Sequence, residues 1–176
     1  MAPYIVIFIR LVVPFSILRW PFGGMLLSIA ADAGDVILLD VFGWGIFEGK
    51  GIYHELDKIF DMYYLSFAFY KSFGWQEILA RRTSLVLFVW RFAGFIIFEL
   101  THVRQVIFFA PNIFENFYLL AAGADKFIPN WKLDSKKKLL LFILIAAIPK
   151  MIQEYIMHYL EFPTWQFIKY NIFRWH

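Results

Sequence analysis

The chain of 176 residues is 61% hydrophobic and 22% aromatic, with only 18% charged residues, a formal net charge of +3 and a mean hydropathy of +0.61. A soluble domain is ordinarily about 45–50% apolar and has too small an interior to hide such an excess, so the composition points to lipid as solvent. Zero cysteines exclude disulfides, thiolate metal sites, iron–sulfur clusters and cysteine nucleophiles.

A membrane span takes about 20 mostly apolar residues, and six such stretches follow one another along the chain: 4–20, 21–47, 52–73, 83–101, 105–124 and 138–160. The first has no basic region ahead of it and is interrupted by Arg10, so it reads as a span rather than a cleavable signal peptide. The second and third are joined by the glycine-containing link Glu48-Gly49-Lys50-Gly51, which makes them antiparallel neighbours. Pro149 predicts a kink in the sixth. Beyond Pro163, the stripe of Trp165, Ile168, Ile172 and Trp175, set against Gln166, Lys169, Asn171 and Arg174, suits a C-terminal amphipathic segment lying in the membrane interface. No internal repeat or linker divides the chain. The expected fold is an all-α polytopic membrane helix bundle forming a single domain over residues 1–176.

Six spans place both termini on one side. Arg19, Lys71, Arg81, Arg82, Lys126, Lys132 and Lys136 to Lys138 gather on the opposite side, against Lys50, Arg104, Lys169 and Arg174 on the side of the termini. The positive-inside rule makes the richer side cytoplasmic or its equivalent. Basic clusters between apolar runs are what loops facing anionic lipid carry, so nucleic acid is excluded as a partner.

Ionisable residues inside spans cost on the order of 2.5–3.5 kcal/mol at the bilayer centre and mark functional sites. At 1.5 Å per residue, Arg10, Asp32, Arg91 and Glu115 all lie at about 12–16 Å from the basic side. Two cations and two carboxylates at one depth predict a buried polar network. It serves either as ion pairs that fix helix register or as a binding cavity with arginine contacts for an anionic ligand. A second group forms where antiparallel packing carries Asp35 and Asp40 towards Asp57 and Asp61. Asp32 and Asp35 are three apart and Asp57 and Asp61 four apart, so each pair shares a helix face. Converging carboxylates repel unless they take protons or share a divalent cation, and an all-oxygen set favours Mg²⁺, Mn²⁺ or Ca²⁺. A second-choice metal set consists of Glu99 with His102, spaced Glu-x-x-His as in half of a di-iron bundle motif, and Glu154 with His158.

Arg10-Leu11-Val12-Val13-Pro14, Asp32-Ala33-Gly34-Asp35 and Asp57-Lys58-Ile59-Phe60-Asp61 together resemble the CDP-alcohol phosphatidyltransferase family over residues 10–61. That family carries an arginine early in the first of six spans, then Asp-x-x-Asp-Gly-x-x-Ala-Arg and Gly-x-x-x-Asp-x-x-x-Asp. Here Val36, Leu39-Asp40 and Tyr53 replace the glycine, Ala-Arg and second glycine of the pattern, as in a diverged or catalytically degenerate member. The resemblance implies a role in phospholipid metabolism, with Asp32, Asp35, Asp57 and Asp61 as the metal set, Mg or Mn as cofactor, Asp61 as the catalytic base and membrane lipid as the partner. The alternative is a non-catalytic structural subunit of a larger membrane complex, whose 22 Phe, 9 Tyr and 7 Trp cover partner helices and lipid. Either a homo-oligomer or partner membrane subunits fit these readings.

Overall fold

The structure, a computed structural model, describes residues 2–48, 51–103, 105–128, 130–160, 162–172 and 174. It is all-helical, with 83% of the chain in helix and no strand among the described residues. Three stretches are long and apolar enough to cross a membrane: Ala2–Arg19, Ile78–Thr101 and Lys136–Met157. Six were expected. The remaining stretches fall short because of their charge or their length. Helix α3 (Pro21–Phe42) carries Asp32, Asp35 and Asp40, and α4 (Gly51–Ser72) carries Glu55, Asp57, Lys58 and Asp61 in its N-terminal half. The expected fifth span is two pieces, α6 (Gln105–Phe109) and α7 (Ile113–Phe127). Pro111 stands between them, and the 15 residues of α7 are fewer than the roughly 20 a crossing takes.

The first apolar stretch is also interrupted. Helix α1 (Ala2–Val12) ends ahead of Pro14, and α2 (Phe15–Arg19) continues after it. Pro21 then opens α3 at a position where its missing N–H costs nothing. Gly24 lets α3 cross α2 backbone to backbone, since a Cβ there would collide with the backbone of Ser16 and Ile17. Helix α5 is Ile78–Thr101, and it meets α6 through Gly94, where a Cβ would strike that of Ala110. Helix α8 (Lys136–Glu154) runs through Pro149 and widens into a π-helical turn at Tyr155–Tyr159.

Short α7 is the hub, packed against α3, α4, α5 and α8. Its Phe114 and Tyr118 are fully buried among Ile17, Met25 and Leu65, and Phe69 stacks on Phe88 at 4.1 Å beside them. The surface inverts the arrangement of a water-soluble protein. Tyr4, Phe8, Phe42, Val86, Leu100 and Phe109 are each more than 60% exposed, whereas Arg10, Asp35, Arg91, Glu115, Lys150 and Glu154 are buried. An apolar exterior enclosing ionisable groups is the pattern expected when the surrounding solvent is hydrocarbon.

The tail is a single turn, α9 (Thr164–Phe167), followed by a π-helical turn at Ile168–Ile172. Trp175 of the expected amphipathic stripe lies outside the described residues, as do Gly49 and Lys50 of the α3–α4 link and Arg104.

Candidate functional site

Arg10 is the centre of the acidic group. It sits 3% exposed in the last turn of α1, where apolar packing holds the helix against α3. One end of its guanidinium, Nη1, donates to Asp32 Oδ1 in a short contact and to Asp35 Oδ2 at 3.0 Å. The other, Nη2, donates to Asp61 Oδ1 at 3.1 Å, to Asp57 Oδ1 at 3.4 Å and to the Asp57 carbonyl at 3.3 Å. The planar fork thus ties three helices together through four carboxylates, and the face of Phe60 lies 5.5 Å from its carbon.

The four aspartates do not play equivalent parts. Asp32, Asp57 and Asp61 each offer an oxygen lying within 4.8 Å of the others, close enough for a single metal ion to take all three. Asp35 stands outside this triad. It is 3% exposed and is claimed by Arg10 and by the Tyr53 hydroxyl, which donates to Oδ1 at 2.7 Å. Tyr53 and Arg10 thus hold both oxygens of Asp35. Asp40 leaves the network altogether. It accepts from Lys169 Nζ of the tail at 2.6 Å, and this contact raises the pKa of the Lys169 ammonium above the ordinary lysine value.

Arg91 and Glu115 meet residues that the depth argument did not name. Glu115 accepts at Oε1 from Lys150 Nζ at 3.2 Å, and at Oε2 from Asn112 Nδ2 at 2.8 Å and, in a short contact, from the Tyr64 hydroxyl. Arg91 donates from Nη1 to the Ala110 carbonyl at 3.0 Å, lies 3.9 Å from Glu154, and keeps its buried Nε without a partner among the described residues. Asn112 also caps α7, its side chain accepting from the Glu115 N–H. Asn-x-x-Glu is a capping-box spacing, so this contact was available from the sequence. Lys150 had a signal as well, as a lysine inside the sixth apolar stretch, whereas nothing in the linear order marks Tyr64.

These two clusters face one another across one cavity of about 110 Å³. Asp32, Asp57 and Asp61 form one wall, and Arg91, Glu115, Lys150 and Glu154 form the other. With Asp35 and Arg10 behind the first wall and Lys58 at its edge, six carboxylates oppose four cations in fully ionised form. One divalent cation closes that gap of two charges, and the all-oxygen donor set suits a hard ion. The residues present therefore fit a metal.

The second-choice set is dispersed. Glu154 belongs to the Arg91 wall, where it also accepts from the Asn112 N–H at 3.3 Å. Glu99 has a buried Oε1 without a partner among the described residues, and His102 ends α5 in a left-handed conformation (φ 53°) with its ring against Phe98. The His158 side chain lies outside the described residues. No known family, no curated protein and no solved structure matches this chain.

Proposed function

We propose that the chain is a multi-pass integral membrane protein with a CDP-alcohol phosphatidyltransferase-like, metal-dependent activity in phospholipid metabolism. In this reading α3, α4 and the α6–α7 pair enter the bilayer behind the three more apolar stretches, completing about six membrane segments. The observation that carries the reading is one cavity with a carboxylate triad on one wall and Arg91 with Lys150 on the other, inside an apolar-clad bundle.

Asp32, Asp57 and Asp61 would hold Mg²⁺ or Mn²⁺, which neutralises phosphoryl charge and orients the diphosphate of a CDP-linked lipid. Arg91 and Lys150 face the same space with buried cationic heads that suit phosphate oxygens. Asp61 takes the proton of the attacking alcohol, whose oxygen bonds to the lipid-linked phosphorus while CMP leaves with the electron pair. Positioning and charge neutralisation supply most of the acceleration in such a transfer. Asp32, Asp57 and Asp61 are partly exposed, which leaves the triad open to an incoming alcohol, while Arg91, Glu115, Lys150 and Glu154 are buried.

The test combines elemental analysis of the purified protein with CMP release from CDP-diacylglycerol in the presence of candidate alcohols. Bound Mg or Mn and CMP release are expected in the unaltered chain, and both should fall in Asp57→Asn. Asp61→Asn should abolish release. Variants at Asp57 and Asp61 that leave both metal content and CMP release unchanged would overturn the reading.

A further inference from the structure

A second cavity, of about 320 Å³, lies where the C-terminal segment folds back over the end of α3 and the turn that follows it. It is separate from the carboxylate triad. Asp40, which contributes to it, is eight residues beyond Asp32 on the same helix, about 12 Å along the axis. Its volume is at the lower end of the roughly 300–1,000 Å³ range of small-molecule sites, the scale of a headgroup rather than of a whole lipid.

The lining has two chemical halves. One half is aromatic and acidic: Trp44 and the buried Phe47 come with the carboxylate of Glu48, which has no ion-pair partner among the described residues. The other half is a donor pair on the tail. Lys169 presents its ammonium, and Trp165 presents a buried indole N–H that has no acceptor among the described residues. Burying a donor without an acceptor is unfavourable, and a ligand in this cavity can supply the acceptor for this N–H. An ammonium is already held here. Lys169 Nζ rests 2.6 Å from Asp40 and 5.6 Å from the centre of the Tyr170 ring, the pairing of carboxylate and aromatic face that recognises organic ammonium ions. With Asp40 and Lys169 cancelling, Glu48 leaves one negative charge among the described lining residues. The site therefore favours a ligand with a cation for Glu48 and the rings, and an adjacent anion for Lys169 and Trp165.

We infer that this cavity binds the zwitterionic headgroup of a phospholipid, with its ammonium against Trp44, Phe47 and Glu48 and its phosphate against Lys169 and the Trp165 N–H. The lining supports the assignment to a lipid, because the cavity lies past the C-terminal end of α3 and carries Trp44, Trp165 and Tyr170, the residue types that are enriched at headgroup level in membrane proteins.

The test is native mass spectrometry of the full chain in micelles holding equal amounts of phosphatidylcholine, phosphatidylethanolamine and phosphatidylglycerol. It is run with and without EDTA, so that failure of the metal site leaves the readout intact. Retention of a zwitterionic lipid about tenfold over phosphatidylglycerol is expected. Glu48→Gln, which keeps side-chain shape, and Trp165→Phe, which keeps an aromatic ring but removes the indole N–H, should each erase most of that preference. Displacement of the retained lipid by choline chloride, but not by glycerol, would support the ammonium half and show that a free amino alcohol shares the site. Equal retention of phosphatidylglycerol, or a preference unchanged in both variants, would overturn the proposal.

Discussion

Replacing Arg10 by methionine removes a guanidinium that four carboxylates share while keeping an unbranched apolar stem. Breaking a buried ion pair from one side costs about 3–5 kcal/mol, because the partner charge stays behind uncompensated. For a chain of this length that corresponds to a transition roughly 6–20 °C lower. The loss is expected in EDTA. In millimolar Mg²⁺ or Mn²⁺ the variant should recover more than the unaltered protein gains, because Arg10 no longer competes for oxygens of Asp32, Asp57 and Asp61. An ion at one hundred times its dissociation constant returns about 2.7 kcal/mol. The assay is thermal unfolding in detergent, chelator against divalent ion, for the unaltered chain and for Arg10→Met. A variant as stable as the parent in EDTA, or equal metal-induced shifts for both proteins, would refute the view that Arg10 stands in as the site's counter-cation.

Lys150→Met strands Glu115 and should cost about 3–5 kcal/mol, and adding Glu115→Gln should restore part of the loss; a double-mutant cycle in chemical denaturation reads the coupling. Asn112→Ala removes the cap of α7 and one partner of Glu115, with an expected loss of about 1–2 kcal/mol in the same assay. Gly24→Ala should destabilise by about 1–3 kcal/mol through collision with the α2 backbone. By contrast Gly34→Ala, which meets nothing within 4 Å, should stabilise α3 by up to about 1 kcal/mol; thermal unfolding of the pair separates close approach from helix propensity.

The helical fold was legible in the chain, and spacings of three and four residues place Asp32 with Asp35 and Asp57 with Asp61 on shared helix faces. Antiparallel packing was expected to bring Asp35 and Asp40 to the second pair, whereas it is Asp32 that lies beside Asp57 and Asp61. The same rule explains why Asp40 does not join them. Five residues beyond Asp35, it is turned by about 140° around α3 and faces the tail. The diversion of Asp35 depends on Tyr53, a neighbour that only the packing of α3 on α4 supplies. Only three of the six expected stretches form helices long and apolar enough to cross a membrane, because average hydropathy is blind to punctuation: Pro111 cuts one expected span into α6 and α7, although both halves are apolar. Arg91 was marked by its place inside an apolar stretch, whereas Tyr64 reaches the cavity from α4 with no signal in the linear order.

Arg10 also constrains the order of assembly. During synthesis it emerges 22 residues ahead of Asp32 and 51 ahead of Asp61. On the multi-pass reading proposed above, a nascent first helix would carry its charge into hydrocarbon before any neutralising partner exists, at a cost on the order of 2.5–3.5 kcal/mol. In that reading Arg10 would gain its first counter-charges with α3 and its full set only with α4, so the first third of the protein would enter the bilayer as one cooperative unit rather than helix by helix.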